Sequence, residues 1–130
     1  MSEEQQNVEL IKRGYDAFAA DDVEQLMSLL DDDVEWVQPG ESTISGTYHG
    51  KGELGGLLAR MAEKSSTVTP IRYVADGDTV IVVGDVTLDG ETSQGVIVYT
   101  IRDGKTAHVQ VYGDTAMLER HYGKKQVPTG

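Results

Sequence analysis

The sequence contains no cysteine. This absence excludes disulfide bonds, thiolate nucleophiles and cysteine ligands for a metal, and it leaves the redox compartment undefined. Long apolar runs are also missing, and a stretch such as Val80 to Val83 is far too short to span a bilayer. The start of the chain, Met1 to Gln6, is acidic and polar, whereas a secretory signal needs a basic start and an apolar stretch. We therefore expect a soluble, cytoplasmic protein without a membrane partner.

Basic residues are scarce, with 11 Lys and Arg against 22 Asp and Glu, which gives a formal net charge of −11. Most of such a surface repels a phosphate backbone, so we expect no nucleic-acid partner. His49, His108 and His121 lie far apart in the sequence and lack the spacing of metal ligands. Neither a phosphate-binding loop nor a dinucleotide fingerprint occurs. We therefore expect no metal and no cofactor.

The chain length of 130 residues fits one domain with one core, and 38% hydrophobic residues are enough to fill it. The charged residues are well mixed rather than collected in blocks, which argues against disorder. We predict a single domain over residues 1–130. Its core is expected over about 5–123, and 124–130 are expected to be a flexible tail.

Three helices are predicted in the first half of the chain. Ser2 to Gln5 has the spacing of a capping box, so the first helix should begin at Glu3. An acidic N-cap over Asp22 to Gln25 predicts the second helix, and Lys51 to Lys64 has the apolar spacing of the third.

Strands dominate the second half of the chain. Val34 to Gln38 alternate like a short strand, and a loop is expected from there to Tyr48. A meander of four strands is then predicted over residues 67–75, 79–88, 93–102 and 105–112. Asp103-Gly104 is a strong hairpin signal, and a short terminal helix is expected over 115–122. Helices gathered before antiparallel strands indicate an α+β fold.

This order of elements resembles the cone-shaped nuclear transport factor 2-like fold, and three stretches resemble its SnoaL-like branch. The stretches are YDAFAADD at 15–22, WVQPG at 36–40 with SGTYHG at 45–50, and DGK at 103–105 with DTAML at 114–118 and Gly123. The resemblance covers about residues 5–123. It implies three N-terminal helices packed on a curved, mainly antiparallel sheet that encloses a pocket. The superfamily includes polyketide cyclases, ketosteroid isomerases and epoxide-hydrolase-like enzymes, so the fold leaves the function open.

The last strand carries the predicted catalytic residues. His108, Gln110, Tyr112 and Asp114 alternate with apolar or small residues and therefore share one face. SnoaL-like cyclases use an Asp at the position that matches Asp114 as their acid/base, so the resemblance implies that this polar face looks into the pocket. A carboxylate in an apolar cone could remove a proton alpha to a carbonyl and return it elsewhere. His108 would assist Asp114, while Gln110 and Tyr112 would orient the substrate.

Three further residues are predicted to contact a ligand. The two predicted catalytic residues, Asp114 and His108, also have structural interpretations. Trp36 and Tyr99 are expected as pocket walls, and Gln38 shares a strand face with Trp36. Trp36 also suits a purely core position. Asp114 is equally well placed to cap the terminal helix, and His108 also fits a structural or surface histidine.

Two activities of the superfamily are disfavoured by the residues present. Gln38 occupies the position of the general-base Asp of ketosteroid isomerases, and an amide cannot transfer that proton. Gly14 and Val98 align with their oxyanion-hole groups, and Tyr15 is one residue away from the matching position. Epoxide hydrolysis needs an Asp-Arg-Asp arrangement, but the adjacent residues 102 and 103 point to opposite faces of a strand.

The leading functional hypothesis is a cofactor-free acid/base enzyme that acts on a small, largely apolar carbonyl or polyketide-like compound. The alternatives are a non-catalytic domain that binds a small molecule in the same pocket, a structural dimer module and, ranked lower, an epoxide-hydrolase-like enzyme. A homodimer through the outer face of the sheet is also expected. The strand around Val80 to Leu88 is apolar on both faces, and a monomer would leave part of that surface wet.

Overall fold

The structure is a computed structural model of the chain and describes residues 2–126. The elements are α1 (Glu3–Ala19), α2 (Val23–Ser28), β1 (Leu30–Gln38), β2 (Gly46–His49), α3 (Gly50–Glu63), β3 (Thr67–Asp76), β4 (Thr79–Leu88), β5 (Glu91–Arg102), β6 (Lys105–Tyr112) and α4 (Thr115–Tyr122). The predicted α+β class is confirmed. One prediction was wrong: the segment before α3 contains β2, which the sequence pattern had assigned to a loop. Within the described residues, no helix is long and apolar enough to cross a membrane.

The strands form one curved sheet in the order β2-β1-β6-β5-β4-β3. β1 and β6 run parallel, and the other neighbouring strands are antiparallel. The register shifts between Pro70 and Arg72 on β3, the edge strand, as the proline predicts. Opposite this point, a Cβ added at Gly84 would lie 2.8 Å from the carbonyl oxygen of Thr69. Glycine is therefore required where the two backbones approach each other.

The residues that predict a helix start and a hairpin turn form the contacts expected of them. The hydroxyl of Ser2 accepts a hydrogen bond from the backbone N–H of Gln5 (3.1 Å), and the Gln5 side chain accepts from the Ser2 backbone (3.0 Å). This reciprocal pair is the capping box of α1. Asp103 and Gly104 both have positive φ, at 53° and 75°, as a tight hairpin turn requires. The predicted hairpin between β5 and β6 is confirmed.

The core divides into two clusters on the concave face of the sheet. In the first, Leu10 and Ile11 of α1 pack against Val80 and Val82 of β4. In the second, Leu54 and Leu57 of α3 pack with Val34, Ile44, Leu88, Met117 and Leu118. Because α1 and α3 cover different parts of the concave face, space remains between them.

The predicted tail begins in contact with the domain. Lys124 forms an isolated bridge with Ser42, and the Lys125 backbone N–H donates to the carbonyl oxygen of Glu41 at 2.8 Å. Residues 127–130 of that predicted tail lie outside the described residues.

Candidate functional site

A cavity of about 120 Å³ lies between the concave face of the sheet and the helices. Side chains from the helices and from the sheet line it. Among them are Leu10, Ile11, Tyr15, Phe18, Leu26, Trp36, Gln38, Leu54, Leu58, Met61, Ser66, Ile97, Tyr99, Thr106, Val109 and Val111. Within residues 2–126, no Asp, Glu, Lys, Arg or His side chain lines the cavity. Since a cavity of about 150 Å³ can hold benzene, this one suits a molecule of about one ring.

Three of the predicted contact residues lie in the cavity wall. Trp36 and Gln38 come from the same face of β1, and Tyr99 comes from β5. Val109 of β6 pairs with both Trp36 and Tyr99 in the sheet, which brings the walls from β1 and β5 to opposite sides of β6. The alternation of the strands thus places these side chains on the concave face.

The orientation predicted for the polar face of β6 was wrong. The alternation itself is present, but Val109 and Val111 line the cavity, whereas His108 and Gln110 lie on the outer face of the sheet. Val109 is fully buried, at 0% exposure. The reason is energetic: the wall facing β6 is apolar, so it provides few partners for buried polar side chains.

His108 contacts a carboxylate on the outer face of the sheet. Its Nε2 lies 3.3 Å from Oε1 of Glu35, whose Oε2 lies 3.3 Å from Nδ1 of His49. Gln110 donates from Nε2 to the carbonyl oxygen of Val111 at 3.1 Å. Neither His108 nor Gln110 can therefore touch a molecule in the cavity. The alternative of a surface histidine fits the position of His108.

Asp114 caps a helix at the surface. Its Oδ1 accepts a hydrogen bond from the backbone N–H of Met117 at 3.0 Å, and its side chain is exposed. The predicted N-cap is confirmed, but the predicted position inside the apolar cavity was wrong. With Tyr112, Asp114 instead lines a small hollow of about 40 Å³.

The small hollow adjoins the cavity. The two share five lining residues, which are Gln38, Val86, Ile97, Val111 and Leu118. Its other walls include Ser93, Gly95 and Gly113. Asp114 thus lines the hollow and not the cavity, and Gln38 is the polar residue among the five that line both.

A pair of hydrogen-bonded tyrosines forms part of the cavity wall. The hydroxyls of Tyr15 and Tyr99 lie 2.6 Å apart, and the rings meet edge to face at 86° with centroids 6.2 Å apart. Burial raises the pKa of Tyr99 well above its ordinary value, and burial likewise raises the pKa of Tyr15. Both side chains are therefore neutral at physiological pH, and the pair retains one O–H proton that is not used between them.

Tyr15 was missed as a site residue, although the sequence contained its signal. An alignment to isomerases places it one residue away from the catalytic position. Its spacing from Ile11 and Phe18 nevertheless puts it on the inward face of α1. The partner Tyr99 lies 84 residues away, so only the fold brings the pair together.

Trp36 and Gln38 form the second polar pair of the wall. Nε1 of Trp36 donates to Oε1 of Gln38 at 2.9 Å. Ser66 contributes a buried hydroxyl at the α3 end of the cavity. The cavity therefore combines an apolar surface with a few neutral hydrogen-bonding groups, an arrangement that can hold and orient an uncharged molecule.

The residues considered for epoxide hydrolysis lie outside the cavity. Arg102 is exposed at the end of β5, 3.5 Å from the carboxylate of Asp31, and Asp103 forms the hairpin turn. In the part of the chain that the structure describes, no group of three or more His, Asp or Glu side chains could hold a metal ion.

The family model for the SnoaL-like domain matches residues 11–109. The chain therefore belongs to the SnoaL-like family, in agreement with the resemblance seen in the sequence. Its fold is that of the nuclear transport factor 2-like superfamily. No match was found among curated proteins.

Three solved structures illustrate the similarity. Bal32a, from a soil-derived mobile gene cassette, has a TM-score of 0.87 at 23% identity, over 93% of this chain and 99% of its own. A nuclear transport factor 2-like protein from Burkholderia xenovorans has a TM-score of 0.75 at 30% identity, over 92% and 97%. TerC, co-crystallized with polyporic acid, has a TM-score of 0.79 at 30% identity, over 90% and 98%.

Proposed function

We propose that this domain binds one small, uncharged and largely apolar molecule in the cavity between α1, α3 and the sheet. The observation that carries the proposal is the composition of the wall, which is apolar and, within residues 2–126, contains no charged side chain. Such a wall favours ligands that lose little hydration on entry, because an unpaired charge is costly to bury. TerC, which is 30% identical to this chain, was co-crystallized with a small molecule, and this supports a ligand-binding role.

The cavity also argues against the structural dimer module and against the leading hypothesis of the sequence, an acid/base enzyme, as far as residues inside the cavity are concerned. A purely structural dimer module should fill its interior with side chains, whereas about 120 Å³ is open here. An acid/base enzyme needs a group that accepts a proton near neutral pH. Tyr15 and Tyr99 remain neutral in that range because burial raises the pKa of each, and Gln38 is an amide.

Cyclase- or isomerase-type catalysis by Asp114 is the second candidate. The observation that favours it is the small hollow, which Asp114 lines and which shares five lining residues with the cavity. A ligand that extended past Gln38 would approach this carboxylate. Asp114 would then remove a proton alpha to a carbonyl, hold it and return it to carbon or oxygen.

Binding can be measured through Trp36, since the chain has one Trp and it lines the cavity. Titration with acetophenone is expected to give a saturable change in Trp36 fluorescence. Benzoate, of similar size but negatively charged, should bind at least about tenfold more weakly, because its charge would be buried without a partner. Equal binding of benzoate would contradict the proposal.

A matched variant controls for binding elsewhere. Gly14 lies on the cavity side of α1, and Gly14→Leu should fill part of the cavity and abolish the acetophenone signal. Gly56→Leu is the control, because Gly56 is an exposed α3 residue with open space around it. If Gly14→Leu folds and binds acetophenone as the wild type does, the ligand site is not this cavity.

The second candidate is tested by exchange of the acetophenone methyl protons in deuterium oxide. Catalysis by Asp114 predicts exchange above the buffer rate, and Asp114→Asn should reduce the catalysed part by roughly 10²–10⁴-fold. Asn also caps helices, so the fold should be retained. Exchange at the buffer rate with bound acetophenone would leave binding alone as the function.

A further inference from the structure

Gln38 is a buried amide at the junction of the cavity and the small hollow. It is the last residue of β1, only 5% exposed, and it lines both spaces. Trp36 lies two residues earlier on the same face, with its Nε1 2.9 Å from Oε1 of Gln38. The two side chains therefore form a unit within the wall.

The contact with Trp36 fixes which end of the amide faces the ligand space. The oxygen and nitrogen of a side-chain amide are normally hard to distinguish, and the network of hydrogen bonds decides between them. An indole N–H only donates, so the amide atom facing it must be the oxygen. The NH₂ group of Gln38 therefore points away from Trp36.

This NH₂ group has no acceptor in the part of the chain that the structure describes. Among residues 2–126, no oxygen accepts a hydrogen bond from Nε2 of Gln38. An N–H group that a ligand shuts off from water without providing an acceptor is unfavourable. An NH₂ group only donates, so its partner must be a hydrogen-bond acceptor, either a water oxygen or a ligand atom.

We propose that Gln38, with its amide orientation fixed by Trp36, selects ligands that carry a hydrogen-bond acceptor oxygen, as carbonyl compounds do. This inference rests on the proposed function, because it names the chemical class that the cavity prefers. An apolar molecule of the same shape without such an oxygen leaves the NH₂ group unpaired. A ligand that could only donate a hydrogen bond would meet N–H groups and gain nothing from Gln38.

The selection is measured with two probes of nearly equal shape, acetophenone and ethylbenzene. Their dissociation constants are determined by NMR titration for the wild type and for Gln38→Met, which keeps the length of the side chain but removes the donor. Ethylbenzene is the more hydrophobic probe, so the ratio of the two constants is compared between proteins. Gln38→Met should shift this ratio by about five- to tenfold against acetophenone.

Two further variants separate selection from a general effect on the fold. Gln110→Met makes the same replacement on the outer face of the sheet, opposite Val37 of β1, and should leave the ratio unchanged. Trp36→Phe removes the indole N–H that orients the amide, so its ratio should fall between those of the wild type and Gln38→Met. It also serves as the test if Gln38→Met does not fold.

The outcomes distinguish this inference from the proposed function. If both probes bind and the ratio in Gln38→Met equals the wild-type ratio, Gln38 does not select and the inference is overturned. An unchanged ratio in Trp36→Phe would overturn the orienting role of Trp36. If neither probe binds to the wild type, the proposed function fails and the inference fails with it.

Discussion

Replacing Gly14 by alanine should make the protein more stable, because two favourable effects act together at this residue. Gly14 is in the interior of α1, where glycine is about 1 kcal/mol less favourable than alanine. Its side faces the cavity, and the heavy atom nearest to an added Cβ is Cδ1 of Leu26 at 3.9 Å. The methyl group therefore fits without a clash, and its burial contributes about another 0.8 kcal/mol. Gly14→Ala should raise the free energy of unfolding by between about 1 and 2 kcal/mol.

The assay is equilibrium unfolding in urea, in which the midpoint should rise while the slope stays constant. Gly56→Ala is the matched control, because Gly56 lies in α3, is exposed and has no heavy atom within 4 Å of an added Cβ. It gains helix propensity alone, about 1 kcal/mol. The difference between the two variants isolates the methyl group placed in the cavity.

Two results would refute this reasoning. If Gly14→Ala is less stable than the wild type, the space beside Leu26 is already filled and the cavity is not open there. If Gly14→Ala gains no more than Gly56→Ala, the added methyl group is not buried. The same substitution should also weaken binding of acetophenone, since it takes volume from the ligand space.

Three further predictions follow from other contacts. Asp114→Ala should lower the free energy of unfolding in urea by about 1 kcal/mol, and Asp114→Asn should lower it much less, because Asn also caps helices. Equal losses in the two variants would contradict the capping role of Asp114. The hydrogen bond from Arg120 lowers the pKa of Glu91. The ionised Glu91 therefore stabilises the fold fully at a pH above the ordinary Glu pKa of about 4.3, and this stabilisation is lost as the pH falls through the lowered pKa. Glu91→Gln should therefore be less stable than the wild type at pH 7 and converge with it in acid; a constant gap in unfolding free energy would count against the pair. We also propose that two copies of the chain associate through the outer face of the sheet, which includes Ile81 and Val98. Sedimentation should then show a dimer, and Val98→Lys should convert it to a monomer of 14.1 kDa. A wild-type monomer at micromolar concentration would refute the proposal.

Features that depend on neighbouring residues were predictable from the sequence. The capping box at Ser2 and the hairpin at Asp103-Gly104 form within a few residues, so composition and spacing are enough to predict them. β2 was not predictable in this way. Its four residues, Gly46–His49, lie beyond a Pro-Gly turn, and pairing with β1 is what makes them a strand.

The candidate site was predictable in part, for a related reason. Alternation along β6 correctly separates His108 and Gln110 from Val109 and Val111, but it does not say which face is concave. That choice depends on how the helices cover the sheet, a property of the whole chain. The pair of Tyr15 and Tyr99 likewise exists only after α1 has docked on the sheet.

The most direct test of ligand binding in the cavity is a titration of the ¹⁵N- and methyl-labelled protein with acetophenone, followed by NMR. The account predicts saturable shifts at residues of the cavity wall, such as the methyl groups of Ile97, Val109 and Val111. These shifts should disappear in Gly14→Leu. Shifts confined to the outer face of the sheet around His108, or no saturable shift at all, would contradict the central claim.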